Sequence, residues 1–179
     1  LIFEADMQNE LTLPVSFITE DTGETEETGR VLARLISEDS RQAFVAMYGD
    51  LGVGKTSFVR GFCSELCQGA AVKSPTFALV NEYKCPGAIG GIRRVYHFDM
   101  YRVDGFDDLY STGFFDYLDF GGILAIEWSE NIEGALPDSK TGRIIDLYAM
   151  PKLSADDFSG GLADVYNAII NEIYIEYGI

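Results

Sequence analysis

Basic residues are scarce in this chain. Thirteen lysines and arginines stand against 29 aspartates and glutamates, for a formal net charge of −16 at pH 7. Direct nucleic-acid binding rests on a basic patch that displaces counterions from phosphates. Here the few cations are scattered, and none follows Lys152. Any dealing with RNA is therefore expected to run through a partner protein. Long apolar runs are missing as well. None approaches the roughly 18 residues needed to cross a bilayer, and the first residues lack the basic-then-apolar pattern of a secretory signal. No membrane role is expected, and the cytoplasm is the expected compartment. Cysteine occurs three times, at Cys63, Cys67 and Cys85, with no CxxC spacing, and His97 is the single histidine. That supplies neither a zinc-ligand set nor a disulfide framework, so the thiols are expected to be reduced core residues.

What is present suits a single globular domain over residues 1–179. The chain is 47% hydrophobic and 23% charged, and at this length about 70% of the unfolded surface can be buried without a staple. No repeat, low-complexity tract or long linker divides it. Leu11 to Phe17 alternates like a strand, with Pro14 placing it at an edge. Acids from Asp21 to Glu27 suit a first helical turn capped by Asp21 or Thr22, and Val31, Leu32, Leu35 and Ile36 continue a helical stripe. Phe44 to Tyr48 is a short apolar run typical of a buried parallel strand. Phe58, Val59, Phe62, Cys63 and Leu66 mark a second amphipathic helix, closed near Gly69. Thr76 to Lys84 and Arg93 to Val103 read as a hairpin across a glycine-rich loop. Asp107 to Leu118 begins as helix. Ile123 to Glu127 and Arg143 to Met150 read as further strands. From Leu162 to Tyr177 the apolar residues follow helical spacing, which predicts a C-terminal helical extension over about 155–179. The expected fold is α/β: a P-loop NTPase-like mixed sheet with helices on both faces and an inserted antiparallel β-hairpin.

The sharpest signal is Gly49-Asp50-Leu51-Gly52-Val53-Gly54-Lys55-Thr56, a G-x-x-x-x-G-K-[ST] match followed by Ser57. Each fixed position has a physical duty. Glycines let the backbone approach phosphates with no Cβ in the way. Successive N–H groups and the positive end of the next helix face the anion. Lys55 supplies a point charge for the β- and γ-phosphates, and the Thr56 hydroxyl a ligand for Mg²⁺. A strand before and a helix after provide the context that the motif requires.

Such a loop needs a second metal ligand and a group that orients water. Two acids at the ends of apolar strands are candidates: Glu127, closing Ile123-Leu124-Ala125-Ile126, and Asp99, within Val95-Tyr96-His97-Phe98-Asp99. Burying an unpaired carboxylate costs several kcal/mol, so an acid in either place calls for a cation or donor. His97 reads as a hydrogen-bonded strand residue, and Arg102 as paired structurally with an acid.

Together the loop at 49–56, Ser74-Pro75-Thr76-Phe77 running into Leu79-Val80-Asn81-Glu82-Tyr83, His97-Phe98-Asp99-Met100-Tyr101-Arg102 and Ile126-Glu127-Trp128 resemble the TsaE family, over roughly residues 10 to 150. The resemblance implies a bacterial ATPase needed to make threonylcarbamoyladenosine in tRNA, using ATP and Mg²⁺ and working with TsaD and TsaB proteins. It implies Glu127 as the metal ligand beside Thr56, Asp99 as the acid that positions water, and Trp128 as part of the site. Thr25 matches a family threonine near the nucleotide, and Ser74-Pro75-Thr76 a segment that senses the γ-phosphate. Ala78, Ser129 and the glycine-rich loop from Cys85 to Arg94 depart from the common pattern. Two other functions compete: a small-molecule kinase, which lacks the Arg-rich lid such enzymes use, and a nucleotide-dependent binding module in which hydrolysis is incidental.

Overall fold

The computed structural model describes residues 15–37, 42–75, 77–86, 92–136, 143–152 and 170–177. In chain order these form β1 (Val15–Thr19), α1 (Thr22–Ser37), β2 (Ala43–Tyr48), α2 (Lys55–Leu66), β3 (Val80–Lys84) and β4 (Arg94–Asp99). There follow α3 (Phe106–Ser111), α4 (Phe114–Phe120), β5 (Ile123–Glu127), a 3-10 helix (Ser129–Ala135), β6 (Arg143–Lys152) and β7 (Ile170–Tyr177). The strands make one seven-stranded sheet in the order β1-β7-β6-β2-β5-β4-β3. Its centre, β6-β2-β5-β4, is parallel, and β1, β7 and β3 join antiparallel. The hairpin β3–β4 closes one edge and β1 forms the other, as the alternation before Phe17 and the proline ahead of it predict.

Side-chain parity along the central strands separates two apolar layers. Val45 and Met47 of β2, Val95 of β4, and Ile123 and Ala125 of β5 pack beneath α1 and α2. Their neighbours Phe44, Tyr96, Phe98, Leu124 and Ile126 face the opposite layer with Leu109 and Phe114 of the short helices. Helices therefore cover both faces. By the same parity His97, Asp99 and Glu127 share the α2 side of the sheet, and Asp99 lies directly beside Glu127 in the parallel ladder.

Helix α1 starts where its acids predict: the Asp21 carboxylate accepts the Glu24 N–H at 2.8 Å, and the Glu24 carboxylate reaches back to the Glu20 N–H at 2.9 Å. This reciprocal pair satisfies donors that a helix start otherwise leaves open. Its inner face presses on α2 through glycine. A Cβ at Gly29 would collide with the Phe58 carbonyl, and one at Gly61 with the Glu26 carbonyl. Backbone thus meets backbone, with Phe58, Phe62 and Leu66 buried below.

Three expectations need correction. The residues 170–177 do not continue a terminal helix; they form β7, inserted between β1 and β6. Ile170-Asn171-Glu172-Ile173-Tyr174-Ile175-Glu176-Tyr177 satisfies a period of two as well as one of 3.6, and its β-branched and aromatic residues favour the strand. The remainder of the expected helix, 155–169, lies outside the described residues. The stretch after Asp107 is not one helix that decays but two, α3 and α4, separated at Thr112-Gly113, where Gly113 has φ +73°. Finally, Cys67 at the end of α2 is joined by a disulfide to Cys85 after β3, and only Cys63 is a free, buried thiol. Eighteen residues apart in sequence, the two cysteines share no motif spacing; the hairpin brings them together. No helix among the described residues is long and apolar enough to cross a membrane.

Candidate functional site

The turn from β2 into α2 is built around three glycines with positive φ: Gly49 at +125°, Gly52 at +85° and Gly54 at +97°. Gly49 has a further constraint, because a Cβ there would collide with the Ala149 carbonyl of β6. Val53 points the other way, buried at 4% exposure, and anchors the loop in the core. Gly54 makes no side-chain cap on α2. The first N–H groups of that helix, together with its dipole, are therefore directed at the loop's concave side, an arrangement suited to an anion.

A cavity of about 380 Å³ opens there. Leu51, Gly52, Gly54, Lys55, Thr56 and Ser57 line it from the loop and the start of α2. Ser74, Asp99, Tyr101, Glu127 and Trp128 close it from the segment before β3 and from the C-terminal ends of β4 and β5 with the residues that follow them. The volume is in the range of small-molecule sites.

Glu127 lies almost out of solvent, at 4% exposure. Its Oε1 accepts the Thr56 hydroxyl at 2.7 Å and meets His97 Nε2 at 2.7 Å. Because a carboxylate oxygen accepts, the matching His97 tautomer carries its proton on Nε2. Thr56 donates to Glu127 and so keeps its oxygen lone pairs for another partner. Asp99 is held on both oxygens: Oδ2 accepts the Ser74 hydroxyl at 3.0 Å and Oδ1 the Tyr101 N–H at 3.1 Å.

Lys55 is buried with its ammonium folded onto its own loop. Nζ donates to the Gly49 carbonyl and, at 2.8 Å, to the Asp50 carbonyl, and sits 4.0 Å from the centre of the Trp128 ring. Burial pushes its pKa below the usual lysine range, opposed by the charges of Glu127, Glu130, Asp99 and Asp50. Trp128 adopts a left-handed backbone with φ +60°, costly for a residue with a Cβ, which turns the chain from β5 into the 3-10 helix. Its ring meets Tyr101 at 4.9 Å. Ser129, buried behind it, accepts the Met47 N–H at 3.1 Å and donates to the Ile126 carbonyl at 2.9 Å. The hydroxyl thereby ties the end of β5 to the end of β2, directly before the loop.

The structure thus brings Lys55, Thr56, Asp99, Glu127 and Trp128 to one cavity with Leu51, Gly52, Gly54 and Ser57. Gly49, Asp50 and Val53 shape the loop without lining the cavity. Thr25 does not line it either: it is buried in α1, its hydroxyl near Thr19 Oγ1 at 3.1 Å and the Asp21 carbonyl at 3.2 Å. Thr76 lies outside the described residues. Arg102, expected to pair with an acid, makes no ion pair among the described residues and lies over the exposed Phe77 ring at 5.0 Å. Two residues join the site that sequence reasoning does not place there: Tyr101 and His97. The H-x-D spacing carries the missing signal for His97, since residues two apart on a strand share a face.

The family profile described as threonylcarbamoyl adenosine biosynthesis protein TsaE matches residues 19–152. The chain is 38% identical over 118 residues to the tRNA threonylcarbamoyladenosine biosynthesis protein TsaE of Haemophilus influenzae, spanning 66% of this chain and 70% of that protein. It is 34% identical over 121 residues to the protein of the same name from Bacillus subtilis, spanning 67% and 72%. Among solved structures, the crystal structure of Bacillus subtilis YdiB matches with a TM-score of 0.59 at 21% identity, covering 95% of this chain and 90% of that one. That likeness bears on the fold, a P-loop-like mixed α/β sheet.

Proposed function

This chain belongs to the TsaE family of threonylcarbamoyl adenosine biosynthesis proteins, and from that premise we propose that it is a Mg²⁺-dependent ATPase. Its role lies in making threonylcarbamoyladenosine in tRNA. In this reading it works in the cytoplasm beside TsaD- and TsaB-type partners, turns ATP over slowly alone and faster in their complex, and meets tRNA only through them. The observation that carries the reading is the convergence of a glycine-built anion loop, a buried lysine and two acids on one cavity.

The donor set fits Mg²⁺. Thr56 and Glu127 offer hard oxygen ligands side by side, joined through Glu127 Oε1 by a 2.7 Å hydrogen bond. Among the described residues no cluster of three or more His, Cys, Asp or Glu forms a cage, which suits an ion that takes one or two protein ligands and completes its shell with phosphate and water. Bound there, Mg²⁺ would supply positive charge against the phosphate oxygens. The chain's own groups do the rest. The loop N–H groups and Lys55 hold the phosphates, Lys55 exchanging the carbonyls of Gly49 and Asp50 for phosphate oxygens. Asp99, kept in place by Ser74 and the Tyr101 N–H, orients the attacking water. Rate in such reactions comes from positioning and from cations at the γ-phosphate. None of the described arginines lines the cavity, which supports low turnover until a partner contributes.

Calorimetric titration of ATP and of GTP, each with Mg²⁺, into the wild type and the Lys55→Ala and Glu127→Ala variants tests the proposal. Selective ATP binding is expected, lost in Lys55→Ala and made less Mg²⁺-dependent in Glu127→Ala. Equal binding of both nucleotides, or indifference to Glu127, counts against it. Asp99→Ala separates enzyme from binding module: it is expected to keep nucleotide binding and lose tRNA modification with the partners.

A further inference from the structure

His97 is a costly residue for its position. It is fully buried in β4, with 0% exposure, and its Nδ1 has no hydrogen-bond partner among the described residues. A buried polar atom left unsatisfied costs about 1–3 kcal/mol, and an apolar side chain of similar volume would avoid it. The ring contact that His97 makes with Tyr83, at 6.5 Å, needs no imidazole. What the imidazole does provide is a single donor at Nε2, aimed at Glu127 Oε1 at 2.7 Å.

The same oxygen takes the Thr56 hydroxyl at 2.7 Å. Two donors from two elements therefore converge on Oε1, and among the described residues none reaches Oε2. Their origins make the clamp rigid. His97 stands on β4, an inner strand flanked by β3 and β5, where its register partners are Asn81 and Ala125. Glu127 stands two residues beyond Ala125 on the same face of β5, so the contact crosses the ladder diagonally. Thr56 comes from the first turn of α2.

From this geometry we infer that His97 is a positioning residue for the metal site: its Nε2–H, with the Thr56 hydroxyl, fixes the Glu127 carboxylate through Oε1 and presents Oε2 to the cation. The role rests on the Mg²⁺-nucleotide reading above and deepens it. Outer donors that orient a ligating carboxylate commonly govern metal affinity by about 10- to 100-fold. His97 touches neither phosphate nor water in this scheme, so its loss acts through Glu127 alone.

The test uses the full chain and reads the ratio of ATP affinity with Mg²⁺ to ATP affinity in chelator, by calorimetry, for wild type, His97→Leu, His97→Gln and His97→Asn. His97→Gln retains an N–H near the Nε2 position, whereas His97→Asn is too short to reach Glu127. His97→Leu and His97→Asn are expected to lower the ratio by about 10- to 100-fold with chelator affinity little changed, and His97→Gln to stay within a few-fold of wild type. A His97→Leu variant that folds and keeps the wild-type ratio overturns the role. If His97→Leu does not fold, the Gln and Asn variants decide, and equal ratios in those two overturn it. A wild type that binds ATP no better with Mg²⁺ than without it overturns the metal-site reading itself and this role with it. That result is told apart from failure of His97 alone by the wild-type titration.

Discussion

At the scale of single residues, the site is assembled from side chains whose burial is expensive. Lys55, His97, Asp99 and Glu127 are each at most 6% exposed, and each finds at least one hydrogen-bond partner in the site. Cys63 shows the contrary case of burial without compensation. Burial alone pushes its thiol up to about 12, so near pH 8 it stays protonated and unreactive, since the thiolate is the nucleophile. With Cys67 and Cys85 joined, the native protein should yield no thiol to an aromatic disulfide reagent at that pH. Unfolding without reductant should release one, and unfolding with prior reduction and reductant removal all three. One reactive thiol in the native state would contradict the burial of Cys63, and two would contradict the bridge.

At the scale of elements, the phosphate loop owes its placement to what braces α2. The crossing of α1 and α2 at Gly29 and Gly61 admits no Cβ on either side, and overpacking of this kind typically costs about 1–3 kcal/mol, occasionally more. Gly61→Ala should therefore lower the urea midpoint with little change in slope, a loss above the ~1 kcal/mol gain in helix propensity that alanine brings. A stabilised variant would mean the helices are further apart than described. Strand β7 makes a second, opposite prediction about a segment that reads as helix. Ile175 is 1% exposed and pairs with Val15 of β1 and Leu147 of β6. Ile175→Ala should cost about 2–5 kcal/mol, measured by denaturant unfolding. A terminal helix lying loosely on the surface would lose far less.

At the scale of the whole molecule, a net charge of −16 sets self-repulsion against a few exposed ion pairs. Arg34–Glu65 at 3.1 Å and Arg60–Glu26 at 2.9 Å join α1 to α2, but exposed pairs of this kind contribute only about 0–1 kcal/mol each. Repulsion among 29 acids should outweigh them. Raising NaCl from about 20 to about 300 mM, which shrinks the Debye length several-fold, should therefore raise Tm in a thermal scan. A fall in Tm would mean the ion pairs dominate. The same excess of acid suits docking on a basic protein better than on RNA.

Much of the site is legible in the order of residues alone. The loop from Gly49 to Thr56 announces itself because phosphate binding demands glycine, lysine and hydroxyl at fixed spacing. Ile123 to Glu127 stands out because a carboxylate closing a buried apolar run must be matched there by a cation or a donor. Local chemistry of that kind survives in one dimension. Other features depend on which strand lies beside which. Neither the convergence of His97 and Thr56 on one oxygen of Glu127 nor the meeting of Cys67 with Cys85 has a local signature. For residues 170–177, two periodicities fit one string of isoleucines and tyrosines. The free edges of β1 and β6 decided between them, because unpaired backbone N–H and C=O groups there are satisfied by a strand and not by a helix.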